Sequence, residues 1–404
     1  MGGYLNSGGR HDHIWSDDGL MNIIFQFIGT VPRVRRAGLA VLSLESRVRG
    51  YLNRRSPVVL EARANRSRFY REVWHEAASA LDAQVTDLGR DILEISKRPR
   101  RVRVRQNYTP LDHCVSLAVA GDKMLTNRLL AQNGVPVPPS VQFSLESLSL
   151  AEAFLNDAKG PCVVKPAIDT AGGSGVTTGI RTRWQLARAA ASASVYGTCL
   201  MMQPHVVGDN YRFLFLDGEL LDAVLLRPPT ITGNGRLSVR ALVNRENANR
   251  LQGDVVTGQR LISFDFEMRH TLSSQGLTLG SIVPDGQRIT LKMAVNENSG
   301  ADTRSVKHLV RESIVSTAAK AASIIGARLA GVDIIMRDPG VPLATQGGVV
   351  IEVNTTPGFY WHDAKSDGAC SVAQQVLQRL LSTKYLGVGD RQIDVGLAEG
   401  IPSR

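Results

Sequence analysis

The sequence predicts an α/β protein, α+β in detail, and three observations carry that expectation. Apolar, β-branched runs bounded by Gly and Pro recur, as at 331–336 and 349–353, and such runs form strands. Between runs of this kind lie segments with apolar residues at helical spacing, such as 310–329, where Ile314, Val315, Ala318, Ala322, Ile325 and Leu329 share a side. Finally, Asp217-Gly218 joins 211–216 to 220–226 as a tight hairpin, so part of the sheet is antiparallel.

A chain of 404 residues can bury cores for two or three domains. Its divisions fall at a leader over 1–55, partly disordered; an N-terminal α/β unit over 56–120; a central unit over 121–205; a C-terminal unit over 206–385; and a tail over 386–404. Cys114, Cys162, Cys199 and Cys370 are widely spaced and form no CxxC pair, which points away from a disulfide framework or a zinc site and toward the cytoplasm. The net charge of +10 favours an anionic ligand or partner. Its arginine runs lack an aromatic platform, so solvated faces or substrate steering are preferred over nucleic acid. No membrane span is expected: the apolar stretch 20–31 is too short and follows Asp17-Asp18, and a packed or disordered leader is preferred to a peripheral helix. His11 and His13 flank an acid near the terminus and are taken as incidental.

In chain order, Val58-Val59-Leu60 reads as a short strand, 68–81 as a helix and 85–88 as a second strand. Asp122 caps a helix over 121–130 that stops at Asn133-Gly134. Lys123 in its first turn is unusual, since helix N-termini favour acids; either an anion sits beside it or it is an exposed lysine. A strand over 161–166 carries Lys165 into the glycine-rich stretch holding Gly172, Gly173, Ser174 and Gly175, and a strand returns after it. Backbone N–H groups of such a loop can hold phosphate, although the glycines alone are a weak signal and match neither a Walker loop nor a dinucleotide fingerprint. A helix over 183–192 precedes a strand over 198–203, whose Met202 and Gln203 either lie against a purine or are ordinary strand residues. Arg212 on one hairpin strand and Arg227 just past the other either face a site or are solvated. A helix over 238–247 and a strand over 288–293 carrying Lys292 come next. Near the C-terminus, Asp333 on one strand and Glu352 and Asn354 two apart on the next offer three oxygens, a set that Mg²⁺ accepts when phosphate and water complete its shell. A solvated acidic hairpin is the equal alternative.

These pieces resemble the ATP-grasp superfamily of carboxylate-amine ligases, most closely the ligase part of cyanophycin synthetases and glutathione-synthetase-like peptide ligases. The resemblance rests on GDKMLTNRLLAQNGVPVP, VVKPAIDTAGGSGV, GDNYRFLFLDGELLDAVLLRPPTITGNGRLSV, VPDGQRITLKMAVNENSG, and GVDIIM followed by GVVIEVNTTPGFYWH, and it covers about 112–362. It implies an ATP-grasp fold behind an N-terminal α/β domain. It implies that Lys123 and Lys165 contact ATP phosphates under the glycine loop, that Met202, Gln203 and Asn210 hold the nucleoside, and that Asp333, Glu352 and Asn354 hold Mg²⁺ or Mn²⁺. Lys292 is expected near the transferred phosphoryl group, and Arg212 and Arg227 at the substrate carboxylate. Gln203 replaces a usual glutamate, Asn210 a common acid and Asn234 an aspartate. A Mur-ligase-like half is absent, so polymer synthesis is not expected. The expected activity is ADP-forming amide synthesis on an amino-acid or peptide carboxylate and amine, with no membrane or nucleic-acid partner and with a homodimer allowed. The alternatives are a ligase acting on a protein or peptide terminus, and a non-catalytic polyanion-binding protein on the same scaffold.

Overall fold

The computed structural model describes residues 32–54, 56–168, 173–252, 260–295, 305–363 and 371–383. Helix α1 (Pro32–Arg54) stands where a leader is expected, and α2 (Pro57–Ala80) follows. Val58, Val59 and Leu60 form the first turn of α2 and not a strand. Pro57 opens that turn, where its fixed φ and missing N–H suit a helix start. Three apolar residues are too few to display a period, and the period appears only further along, where Phe69, Tyr70, Trp74, Ala77 and Ala78 form the buried face. Strands β1 (Gln84–Gly89), β2 (Ile92–Lys97) and β3 (Arg100–Arg105) then make a meander. Most of the basic stretch 97–105 is therefore strand: Val102 and Val104 point inward while Arg101, Arg103 and Arg105 alternate outward.

Helix α3 (Cys114–Gly121) meets α4 (Lys123–Gln132) at Asp122, whose carboxylate accepts from Met124 N at 3.0 Å and Leu125 N at 2.9 Å. This is the expected cap. The first large sheet comprises β4 (Val141–Phe143), β5 (Cys162–Pro166), β6 (Thr177–Ile180) and β7 (Leu200–Pro204), ordered β4-β7-β5-β6. Helices α5 (Leu148–Asp157) and α6 (Arg183–Ala193) pack on it, and the shared core includes Leu148, Cys162, Val164, Ala190, Leu200 and Met202. Strands β8 (Asp209–Leu216) and β9 (Glu219–Leu226) form the expected hairpin. The small ribbon of β10 (Thr230–Thr232) and β11 (Arg288–Thr290) brackets α7 (Val239–Gln252) and α8 (Phe266–Ser274). Strand β11 ends three residues short of the expected limit at 293. Helix α9 (Glu312–Ile325) stops at Gly326, whose φ of 73° suits glycine, so Leu329 starts a strand instead of ending the helix.

That strand is β12 (Leu329–Met336). With α10 (Leu343–Gln346) between them, it pairs with β13 (Val349–Thr355) in a second sheet ordered β13-β12-β8-β9. One face of this sheet packs on α9 through Phe213, Val332, Ile334, Val350 and Val353. Leu214, Leu216 and Leu329 point the other way and join Phe69, Tyr70, Trp74 and Phe359. Helices α11 (Tyr360–Asp363) and α12 (Val372–Ser382) complete that second core, so the N-terminal helix and meander share a core with the C-terminal sheet.

Asp333 opposes Glu352 while Ile334 opposes Val350, leaving Ile351 as an extra residue in β13. This is a β-bulge. Val350 and Val353 both point into the core, and Ile351 and Glu352 both reach the opposite side. Among the described residues no helix is long and apolar enough to cross a membrane.

Candidate active site

Between the two large sheets lies a cavity of about 410 Å³. Strand alternation decides what enters it. On β5, Val164 points into the helix-covered core, so Val163 and Lys165 reach the cavity; on β7, Gln203 pairs with Val163 and joins them. From the other sheet, β8 contributes Asn210 and Arg212, β12 contributes Asp333 and Ile335, and β13 contributes Ile351, Glu352 and Asn354. Lys123 enters from the first turn of α4, where Lys123 N also donates to Ala167 O at 2.9 Å, just past β5.

The charges are tightly paired. Lys123 Nζ lies 3.1 Å from Glu352 Oε1. Arg212 forms a two-pronged pair with Asp333, with Nη2 donating to Oδ2 at 2.7 Å and Nε donating to Oδ1. Asn354 Nδ2 donates to the same Asp333 Oδ2 at 3.3 Å. Gly331 allows the Arg212 stem to cross β12, since a Cβ there would stand 3.0 Å from Arg212 Cδ. The Arg212 guanidinium also lies 5.0 Å from the Trp361 ring centre, a cation–π contact.

Burial sets the proton affinities, and neighbouring charge then opposes it. It lowers the Lys165 ammonium to about 8, against the pull of Glu352. Burial raises the Asp333 carboxyl more than Arg212 lowers it. At Glu352 the opposite balance holds: burial is outweighed by Lys123, Lys165 and Arg212, so that carboxyl sits below its usual range.

Several buried polar atoms along the cavity have no hydrogen-bond partner, namely Gln203 Oε1, His205 Nδ1, Asn210 Oδ1 and Trp361 Nε1. Buried polar groups are nearly always satisfied, so such orphans mark where a polar ligand would sit. Asp333, Glu352 and Asn354 form a hard oxygen donor set that suits a divalent cation. Among the described residues no group of three or more His, Cys, Asp or Glu side chains could hold a metal, so a cation here needs the amide and ligand oxygens as well.

Four expectations change. Lys292 does not line the cavity; it is buried beside Asp265, to which it is ion-paired, and it donates to Ser263 Oγ at 2.8 Å. Met293, Ala294 and Val295 reach the cavity instead, because the chain leaves β11 before Lys292 and turns. Arg227 is exposed and outside the cavity: Leu226 pairs with Asn210 on the cavity side, and the next residue alternates away. The Met202 side chain faces the core with Leu200. Gly173 lines the cavity, but Ser174 and Gly175 do not, and a Cβ on Gly175 would meet Tyr196 Cδ2 at 2.8 Å, so packing explains that glycine. Gly172 lies outside the described residues.

Sequence reasoning also missed contributors. Arg66 from α2, Asn107 and Tyr108 after β3, His205, Arg260 and Trp361 all line the cavity. Trp361 lies in the last quoted motif, next to its final residue, and an aromatic after a strand-ending Pro-Gly was the available signal. Arg66 and Tyr108 gave none, since only the shared core brings the N-terminal unit over the β13 end, where Asn107 donates to Thr356 O.

No family model matches the chain. It is 30% identical over 304 residues to a cyanophycin synthetase of Nostoc sp., covering 74% of this chain and 33% of that protein. It is also 30% identical over 282 residues to the glutathione biosynthesis bifunctional protein GshAB of Streptococcus thermophilus, covering 68% of this chain and 37% of that protein. The chain thus spans about a third of the length of these curated relatives. A bifunctional glutathione synthetase from Pasteurella multocida, solved by crystallography, is 28% identical with a TM-score of 0.47, over 74% of this chain and 42% of that one. With two groups of curated relatives aligned over more than two thirds of its length, the chain belongs to the ATP-grasp superfamily of carboxylate-amine ligases.

Proposed function

We propose that the chain is an ADP-forming ligase that joins an amino-acid or peptide carboxylate to an amine. A carboxylate oxygen attacks the γ-phosphorus of ATP and ADP departs. The resulting acyl phosphate carries a good leaving group; the amine attacks its carbonyl carbon, phosphate leaves, and the nitrogen gives up a proton to complete the amide. No covalent nucleophile of the protein is required. Phosphoryl transfer needs positioning and charge neutralisation, which buried cations supply.

The observation that carries this proposal is the convergence of Lys123, Lys165, Arg212, Asp333 and Glu352 on one cavity bordered by orphaned polar atoms. In this scheme Lys123 and Lys165 hold phosphate oxygens and Gln203 and Asn210 meet the nucleoside. Asp333, Glu352 and Asn354 hold Mg²⁺ or Mn²⁺, which supplies charge neutralisation at the phosphates when bound. Arg212 then turns toward phosphoryl or carboxylate oxygen, steadied by Trp361. Arg66, Tyr108 and Arg260 border the part of the cavity left for the carboxylate and amine.

An ADP-release screen over amino acids and short peptides, with product masses recorded, tests the scheme. Glu352→Ala is expected to lower ADP formation by about 10²–10³-fold, the scale of losing one transition-state electrostatic contact. If no pair of substrates yields ADP, or the variant matches the parent protein, the proposal fails.

A further inference from the structure

A buried polar pair stands behind the cavity wall. Asp222 on β9 opposes Leu214, so the two share the sheet face that packs on Tyr70, Trp74 and Phe359. Asp222 is 2% exposed and its partner His362, on α11, is fully buried. His362 Nδ1 lies 2.8 Å from Asp222 Oδ2, and Ser305 Oγ donates to Asp222 Oδ1 at 2.7 Å. A carboxylate only accepts, so the histidine proton is assigned to Nδ1. One carboxylate thus joins β9, α11 and the segment at 305–306, which runs along β9 through a bond from Val306 N to Ala223 O at 2.7 Å.

Desolvating such a pair is costly, and apolar side chains of like volume often fill a core as well or better. What the pair supplies is direction. Helix α11 has four residues, too few to hold its own orientation. Its first residue, Tyr360, meets Phe69 edge-on with ring centres 5.8 Å apart, and its third, His362, is fixed by Asp222. Between these two anchors sits Trp361, which lines the cavity with its ring centre 5.0 Å from the Arg212 guanidinium. Arg212 in turn pairs with Asp333. A continuous set of contacts therefore runs from Asp222 to the charged centre of the site.

We propose that Asp222 and His362 are positioning residues for the ligase reaction. Through α11 they hold the Trp361 ring against Arg212, which aims the guanidinium at the oxygen that it meets during transfer. This inference rests on the ligase reading given above.

Two readouts on the full chain test it: ADP release, and the fluorescence of Trp361 taken as the difference between matched proteins with and without Trp361→Phe. Asp222→Leu with His362→Leu removes both members, so neither is left unpaired, and parent-like melting is expected. The double variant is expected to lower kcat about 10- to 100-fold and to shift the Trp361 emission. The KM for ATP is expected to stay within about twofold, because Lys123 and Lys165 are untouched. His362→Asn, whose amide N–H can replace Nδ1–H beside Asp222, is expected to recover most of the kcat and the emission. A folded double variant with parent-like kcat, or with unmoved Trp361 emission, overturns the proposal. So does a kcat as low in His362→Asn as in the double variant, because the hydrogen bond is then not what matters. If the double variant melts early, Asp222→Asn decides: it keeps the shape but offers His362 a neutral amide, and parent-like kcat and emission there overturn the proposal. If the parent releases no ADP from any substrate pair, the ligase reading fails and the catalytic half of this proposal with it. The emission still shows whether the pair holds Trp361, which keeps the two failures distinct.

Discussion

Glu267 shows how much one buried side chain can hold together. Its carboxylate accepts from Thr178 N at 2.8 Å and Thr178 Oγ1 at 2.9 Å on β6, and from Met293 N at 3.2 Å and Ala294 N at 3.1 Å beyond β11. It therefore ties α8 to two segments that line the cavity. Glu267→Ala leaves three backbone donors without this acceptor and is expected to cost about 2–4 kcal/mol, visible as a lower denaturant midpoint at unchanged slope. Burial, opposed by Thr178 and Ala294, raises this carboxyl from 4.5 to about 6. Above both values the group is charged in either state, and below both it is neutral in either state. Between them the unfolded chain releases its proton first, so this residue's contribution favours folding below about pH 4.5 and is lost as pH rises to about 6, by about 2 kcal/mol in all. Unfolding curves measured across that window should show the loss, and Glu267→Gln should flatten it.

The strands and caps that were legible have local signals, whereas the strand expected at 58–60 is the start of α2. Asp122, the Asp217-Gly218 turn and the β-branched runs of β12 and β13 each declare themselves within a few residues. Which way a side chain faces is less local. Lys292 and Arg227 sit next to residues that line the cavity, Met293 and Leu226, and miss it by one position each. Arg212 was legible as a charged residue on a strand, yet its contact with Asp333 depends on β8 and β12 being neighbours, and 121 residues separate them. Gly331 belongs to this scale as well. Gly331→Ala would bring Cβ within 3.0 Å of Arg212 Cδ and 3.1 Å of Pro357 Cβ, inside a paired strand. It is expected to cost about 1–3 kcal/mol by overpacking and to lower kcat more than it raises the KM for ATP, because it shifts Arg212 without touching the lysines.

Across the whole molecule the N-terminal unit is not an appendage. Trp74 is fully buried, its Nε1 donates to Gln106 O at 2.7 Å, and its ring meets Phe359 edge-on at 5.7 Å. Phe359 lies four residues past the end of β13, after the Pro357-Gly358 turn, and Tyr70 packs against it as well. The cavity wall formed by Arg66 and Tyr108 thus rests on the same aromatic cluster as the end of β13. Trp74→Ala is expected to cost about 3–5 kcal/mol and to shift the melting of the whole chain, read from circular dichroism. A separate early transition confined to the N-terminal unit would contradict the shared core. None of this was legible beforehand, since pairing residue 74 with residue 359 depends on the complete fold.

The extra residue in β13 has a consequence for parity. A strand of strict alternation that buries Val350 and Val353 cannot exist, because the two are separated by an odd number of steps. Ile351 absorbs the mismatch: with that residue present, Val350 and Val353 are both buried and Glu352 reaches the cavity only because the strand bulges there. Deleting Ile351 would let the ladder close without a bulge and make Val350 and Glu352 direct neighbours on opposite faces, so the core valine and the cavity carboxylate would both keep their sides. The choice between them arises only if Ile351 stays and the strand is straightened.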